Sequence, residues 1–340
     1  MKHTRRHRRQ TYIMRRLTVG LMLIGLIVII PTLIGFKQET PMKPGPKAPM
    51  TVTVPVKQGP TFPNIPMQEW TESSTLTVDP EQILVGAMTF VDLTDGVVLL
   101  DKHGEERVYP ASTTKLMTAL LAYEKAAVSG ELDRPVVEVL ATTLDIPWDS
   151  HIVHLAVGDR LTVRQALYAT LLESGNDAAN SLAEYVSGST AEFVELMNER
   201  ARVLGLTGTN FKNAHGYSDP DHYTTARDMA KITYAFGTYP ELVEIAGTYE
   251  YEAKFEDKDG LMKRRWWYHL GSAINSRSIH YSDLVKATKT GYTDESGYTM
   301  VFLMEHEGKQ YALVTMQARS GQTFPTMRLV EQLAFGRQAE

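Results

Sequence analysis

Three short clusters hold residue types and spacings that could do chemistry. Ser112-Thr113-Thr114-Lys115 sets a hydroxyl and an amine three positions apart, which puts both on one face of a helix. A serine hydroxyl is a poor nucleophile until a neighbouring base takes its proton, and a lysine whose pKa is lowered by burial can serve. The amino end of a helix would also favour negative charge developing nearby. Such a spacing arises by chance about once in a chain of this length, and alone it reads as a capping serine beside a surface lysine. Ser174-Gly175-Asn176 can present a hydroxyl and an amide to a cleft from a tight loop; alone it reads as a turn with Asn176 capping a helix from Asp177. In Lys289-Thr290-Gly291 the glycine lets a ligand approach a strand edge, while Lys289 and Thr290 supply donors for a carboxylate.

The elements that must position these clusters follow from local pattern. Ile83–Asp92 reads as a strand, Thr94-Asp95-Gly96 as a turn and Val97–Leu100 as the returning strand. Helical composition follows Lys115 through Leu116–Lys125, and Thr162–Leu172 is a second helix with Thr162 as its cap. Helices are expected over Asp177–Val186, Ala191–Leu204, Thr225–Phe236 and Phe324–Phe335, and strands over Tyr298–Glu305 and Gln310–Met316. Strands at both ends with helices between predict an α/β domain whose sheet is completed by its terminal segments. The segment Tyr249–Tyr281 follows no placeable pattern and is expected to form a hairpin or an insertion at the cleft edge.

Composition narrows the chemistry. The chain of 340 residues has no cysteine, which excludes a disulfide scaffold, a thiol nucleophile and thiolate metal sites. His151 and His154 lie three apart and His222 follows Asp219 and Asp221, but no H-E-x-x-H occurs, so a metal centre is not expected. His215 accompanies no G-x-S-x-G and is expected to be structural. The net charge of −5 conceals an asymmetry: residues 1–16 hold Lys2, Arg5, Arg6, Arg8, Arg9, Arg15 and Arg16 and no acid. The rest is strongly acidic, which argues against a nucleic-acid-binding surface on the globular part.

Taken together and in this order, S-x-x-K, S-x-N and K-T-G match the signature of penicillin-binding proteins and class A β-lactamases. Longer strings carry the likeness further: YPASTTKLMTALLAYE (109–124), LLESGNDAANSLAEYVSGS (171–189), FVELMNERARVLGL (193–206), FKNAHGYSD (211–219) and KTGYTDESGY (289–298). Over about Leu84 to Arg337 the chain resembles the D-alanyl-D-alanine carboxypeptidases, the low-molecular-mass penicillin-binding proteins. That resemblance implies a β-lactamase/D,D-peptidase-like fold: an antiparallel sheet built from both terminal parts, flanked by helices, with a helical subdomain.

It also implies roles. Ser112 would attack the carbonyl between the last two D-alanines of a peptidoglycan stem peptide, and Lys115 would take its proton. Ser174 would relay a proton to the leaving D-alanine, and Asn176 would bond the substrate amide. Lys289 and Thr290, with Gly291 beside them, would hold the terminal carboxylate, and the N–H groups of Ser112 and Thr293 would form the oxyanion hole. β-Lactams would acylate the same serine, with no cofactor and no metal. Arg319 or Arg328 could grip the carboxylate as in some relatives, and neither is singled out. Glu195–Asn198 resembles the deacylating motif of β-lactamases but lies inside a helix too near Ser174, so efficient β-lactamase activity is not expected. A slowly deacylating receptor and a transpeptidase remain the alternatives.

The amino-terminal region supplies the location. Leu17–Phe36 is an uncharged run of twenty residues, about 30 Å as a helix, enough to cross a hydrocarbon core. The basic segment 1–16 would hold its amino end in the cytoplasm. It is read as an uncleaved signal anchor, with a bacterial catalytic domain (83–340) outside the cell membrane on a proline-rich linker (37–82).

Overall fold

The structure, a computed structural model, describes residues 62–73 and 76–337. The basic segment, the apolar run 17–36 and linker residues 37–61 lie outside the described residues. Among those described, no helix is long and apolar enough to cross a membrane.

Strands β1 (Thr71–Glu72), β2 (Ala87–Asp92) and β3 (Val97–Lys102) come first, then helix α1 (Lys115–Ser129) and the short strands β4 (Val137–Glu138) and β5 (Arg160–Leu161). Five helices follow: α2 (Val163–Leu171), α3 (Asn176–Ser187), α4 (Thr190–Val203), α5 (Ala226–Gly237) and α6 (Pro240–Gly247). Strands β6 (Glu250–Glu256), β7 (Met262–Tyr268), β8 (Val285–Thr293), β9 (Gly297–His306) and β10 (Lys309–Ala318) lead to α7 (Thr323–Phe335). The main sheet has the order β1-β3-β2-β10-β9-β8, antiparallel except for β1 beside β3. It therefore joins strands from both ends of the domain and leaves β8 as a free edge.

Period-two alternation buries both faces of this sheet. On β9, Val301 and Leu303 join the core under the helices, while Met300, Phe302 and Met304 join the core under α7. A slip of one residue would exchange the two sets, so the register is strongly specified. Helix α1 is apolar nearly all round and runs through the larger core; Leu120 is 0% exposed, and Leu120→Ala would cost about 2–5 kcal/mol. Local signals fix the helix starts: Thr162 and Gln165 form a reciprocal capping box at α2, and Ser189 and Thr225 cap α4 and α5.

Two expectations are revised, and a third is resolved to one of its alternatives. The strand expected from Ile83 forms only from Ala87; Gly86 lies in a bend beside Gln317, which sits at φ +55° where the register of β10 shifts. The described parts of the expected linker, residues 62–73 and 76–82, lie on the domain: Ile65 is buried in the main core and β1 pairs with β3. The unplaced segment forms the β6–β7 hairpin, which with β4 and β5 makes a second sheet ordered β4-β5-β6-β7. One face of that hairpin is cemented by Trp267, stacked on Tyr251 and Phe255, with Tyr251 in turn on Tyr168.

Candidate active site

The turn Ala111–Thr114 is a single 3-10 turn leading into α1. It is held from several sides: Thr113 Oγ1 donates to Pro110 O at 2.6 Å, and Thr299 Oγ1 on β9 donates to the same carbonyl at 3.0 Å. Ala111 sits at φ +48°, a conformation that costs a non-glycine residue about 1–3 kcal/mol and persists only where surroundings impose it. Two glycines make the turn possible. A Cβ on Gly216 would meet Ala111 O at 1.7 Å, and one on Gly291 would meet the Ser112 nitrogen at 2.9 Å. Strand β8 and the 213–219 loop are thereby brought against the serine.

Ser112 is partly exposed, whereas Lys115 is fully buried. Lys115 Nζ lies 2.9 Å from Ser112 Oγ, 2.7 Å from Asn176 Oδ1 and 2.8 Å from His215 O. Burial first, and then the charge of Lys289, hold its pKa well below the ordinary lysine value, with Asp177 opposing. As a neutral amine it has two N–H donors, which the Asn176 and His215 oxygens take. Its lone pair is then left facing the Ser112 hydroxyl, the arrangement a general base requires.

The loop between α2 and α3 brings the second cluster to the same point. Ser174 is buried at φ +63°, and a side chain on Gly175 would strike Asp177 and Val153 at 2.9 Å. Asn176 is the first residue of α3, with Gly175 as the cap, so its amide is free to reach Lys115. Asp177 accepts the N–H groups of Val153 and Leu155 at 3.0 Å, which pins the 151–155 segment beside the loop.

On β8, buried Lys289 donates to Ser174 Oγ at 2.9 Å and to Thr290 O at 2.8 Å. Burial pushes its pKa down to about 7. The three clusters thus meet through two runs of contacts, Ser112–Lys115–Asn176 and Ser174–Lys289, which the Ser174–Asn176 loop brings together. They open on a cavity of about 640 Å³ whose lining includes Ser112, Ser174, Thr290, Gly291, Tyr292 and His151.

Thr293 does not fit the position expected of it. Its N–H is donated to Ser296 Oγ at 2.9 Å, inside the β8–β9 turn. Along β8 the carbonyls of Thr288 and Thr290 face the free edge, where they meet His269 Nε2 at 3.1 Å and Lys289 Nζ at 2.8 Å. Period two then turns the N–H of Tyr292 to that same edge. Tyr292 also lines the cavity, whereas Thr293 contacts Ser218 and Ser296.

Other candidates fall elsewhere. His215 is buried and pushed down to about 3 by desolvation, then by the Lys115 charge; its contribution to the site is a carbonyl, with its Nδ1 accepting from the Tyr217 N–H. His222 bonds Thr114 Oγ1 at 3.0 Å, Glu195 is exposed on α4, and Arg328 is held by Glu331 and Tyr281 O. Arg319, at the end of β10 next to cavity-lining Ser320, has an exposed side chain. No group of three or more His, Asp or Glu side chains among the described residues is placed to hold a metal. Sequence reasoning did not place the His215 carbonyl against Lys115, nor Tyr292 and His151 in the cavity wall; a backbone contact such as that of His215 leaves no mark on residue type.

A profile of the family described as D-alanyl-D-alanine carboxypeptidase matches residues 74–320. The chain is 35% identical over 210 residues to the D-alanyl-D-alanine carboxypeptidase DacF of Bacillus subtilis, covering 62% of this chain and 51% of that one. It is 32% identical to DacC of Escherichia coli, over 66% of this chain and 54% of the relative. The chain thus spans about half the length of these curated relatives. Among solved structures, that of a Streptomyces DD-transpeptidase superposes with a TM-score of 0.66 at 28% identity, covering 72% of this chain and 96% of the other.

Proposed function

The chain belongs to the D-alanyl-D-alanine carboxypeptidase family, and from that premise we propose that it is a serine-type peptidase that removes the terminal D-alanine from peptidoglycan stem pentapeptides. The observation that carries this reading is the fully buried Lys115 amine 2.9 Å from Ser112 Oγ, with its other two hydrogen bonds assigned to fixed acceptors.

In this mechanism neutral Lys115 takes the Ser112 proton as Oγ attacks the carbonyl of the penultimate D-alanine. The developing oxyanion lies against the N–H groups of Ser112 and Tyr292, the second donor moving one residue back from Thr293. Lys289, while charged, and the Thr290 hydroxyl hold the terminal carboxylate. The tetrahedral intermediate collapses with loss of the D-alanine amine. That amine gains, through the Ser174 hydroxyl as relay, the proton that Lys115 took from Ser112, so Lys115 is neutral again while Lys289, 2.9 Å from Ser174 Oγ, keeps its charge. In this reading Asn176, whose Oδ1 accepts from Lys115, offers its Nδ2 to the substrate amide. Water activated by Lys115 then attacks the ester, releasing the shortened peptide and free Ser112.

β-Lactams would form the same ester and persist on Ser112. Mass spectrometry after penicillin treatment, paired with release of free D-alanine from a pentapeptide ending in D-Ala-D-Ala, tests both steps. One acyl mass that disappears in Ser112→Ala is expected, together with D-alanine release. A persistent adduct in Ser112→Ala would refute the nucleophile, and an adduct without D-alanine release would favour a slowly deacylating receptor. A solved relative described as a DD-transpeptidase supports a second reading, in which an amine replaces water as acceptor. Product analysis with an added amino acceptor separates the two.

The location belongs to the same proposal. The apolar run 17–36 with its basic flank supports a signal anchor that places the domain outside the bacterial membrane, where peptidoglycan lies. Membrane fractionation and protease accessibility of intact spheroplasts test it. A chain recovered in the soluble fraction would overturn it.

A further inference from the structure

The hairpin β6–β7 has two faces of different character. Its inner face is the stack of Tyr251, Phe255 and Trp267. Its outer face, which nothing in the mechanism uses, carries Trp266 at 46% and Tyr268 at 45% exposure. Aromatic side chains of this size left half in water on one strand face mark a binding surface more often than a packing defect. The register sets a carboxylate opposite each ring: Glu252 pairs with Trp266 and Glu250 with Tyr268. Arg264, one step further along the same face, is paired with Glu252 and lies 5.9 Å from the Trp266 ring centre.

Flat rings alternating with hydrogen-bond acceptors suit one ligand chemistry in particular. The C–H faces of a pyranose stack on an aromatic ring while its hydroxyl and acetamido groups donate to flanking carboxylates. The surface is also continuous with the catalytic cleft. The Tyr268 N–H donates to Glu173 Oε1 at 3.2 Å, next to Ser174, and Leu270 bonds Leu172 O at 3.1 Å and lines the cavity. Ladder pairing persists past the strand end, since the His269 N–H bonds Tyr249 O at 2.7 Å.

We propose that the outer face of the β6–β7 hairpin, with Trp266 and Tyr268 as stacking platforms and Glu250, Glu252 and Arg264 as polar partners, binds the amino-sugar strand to which the stem peptide is attached. The proposal rests on the carboxypeptidase reading and extends it from the peptide to its carrier. Trp266 is four residues from Leu270 at the cavity wall, about 13 Å as extended chain, a distance of the same order as the roughly 14 Å that four stem residues span.

The experiment compares the full-length chain, purified in detergent, with Trp266→Ala/Tyr268→Ala on two substrates: a free stem pentapeptide and the same pentapeptide on soluble glycan strands. Binding to purified sacculi is measured in parallel by co-sedimentation. The double variant should keep its kcat/KM on the free pentapeptide, lose about tenfold on the glycan-borne one, and sediment less with sacculi. Trp266→Phe, which keeps a ring, should recover most of the loss. Equal losses on both substrates, or unchanged turnover and sedimentation, would overturn the proposal, as would a change in oligomeric state in place of glycan binding. Failure of the wild-type chain to release D-alanine from either substrate would instead refute the peptidase reading, while sedimentation still reports on the platform.

Discussion

Helix α1 buries two ionisable side chains about two and a half turns apart, Lys115 and Glu124, and treats them in opposite ways. Glu124 has a counter-charge: Arg200 Nη2 donates to its Oε1 at 2.5 Å, and the Tyr239 hydroxyl adds a bond at 3.0 Å. Burial pushes its carboxyl pKa up and Arg200 pulls it back. Arg200 also donates to Pro63 O at 2.9 Å, so the pair pins the chain that enters the domain. Lys115 has no carboxylate partner within hydrogen-bond reach, only oxygens of a hydroxyl, an amide and a carbonyl. Burial without a counter-charge moves a lysine toward the neutral form; burial with one makes a closed structural pair. The first arrangement prepares a base and the second ties a segment down.

The largest expected effect breaks the first half of this contrast. Lys115→Met should cut acylation by penicillin roughly 10³–10⁴-fold, the scale on which such units fail when their base is removed. No opposite charge is stranded, so stability to urea should stay within about 1–2 kcal/mol of the parent. Acylation at near-parental rate would remove Lys115 from the mechanism.

Next in size is the second half. Arg200→Met leaves Glu124 buried with only Tyr239, and breaking a buried pair from one side costs about 3–5 kcal/mol. For a domain of this size that lowers the unfolding midpoint by roughly 6–20 °C. Penicillin acylation per folded molecule at 25 °C should be unchanged. A variant that melts with the parent but acylates slowly would reverse the two roles.

How much of this contrast was legible beforehand depends on how local each cause is. The helix starts at Thr162, Ser189 and Thr225 are local events, and Thr162 was readable because its cap is a side chain in sequence. The three clusters of the candidate site were readable because residue type and spacing are the chemistry. The Glu124–Arg200 pair was not: it joins positions on different helices, and neither sits in a marked pattern. The hairpin was only half legible: Tyr251, Ala253 and Phe255 alternate with Glu252, Lys254 and Glu256 as a strand should, while Lys263, Arg264 and Arg265 mask Trp267 on the returning strand. The proposed oxyanion donor moves from Thr293 to Tyr292 for a backbone reason, since side-chain types do not say which N–H faces a free edge.

A smaller, titratable effect sharpens the comparison within the cleft itself. Lys115 must be neutral to accept a proton, so its competence is present above its lowered pKa and lost as pH falls. Lys289 must be charged to hold a carboxylate, and its pKa of about 7 means that the free enzyme loses this cation as pH rises through neutrality. The ratio kcat/KM should therefore fall above about pH 7, up to tenfold per unit of pH, while kcat falls less because a bound carboxylate favours the cation. Stability should move the other way. Between about 7 and the unfolded lysine value near 10.4 the unfolded chain binds the extra proton, so unfolding free energy rises with pH. Lys289→Met should flatten both slopes, and a kcat/KM profile level from pH 7 to 9 in the parent would contradict the assignment.

The smallest expected effect concerns the end of β8. If Tyr292 supplies the second oxyanion donor, the bond between the Thr293 N–H and Ser296 Oγ is part of a turn and no competitor of catalysis. Ser296→Ala then frees a donor that points away from the reacting carbonyl, and penicillin acylation should change by no more than about twofold, against the 10²–10³-fold that one oxyanion donor commands. If Thr293 were the donor, removing the hydroxyl that occupies it would accelerate acylation. A clear gain in rate in Ser296→Ala, measured by stopped-flow with a chromogenic β-lactam, would return the role to Thr293. It would also mean that the alternation along β8 is broken between Thr290 and Thr293, which the continuous pairing of Lys289 through Thr293 with Val301 through Gly297 argues against.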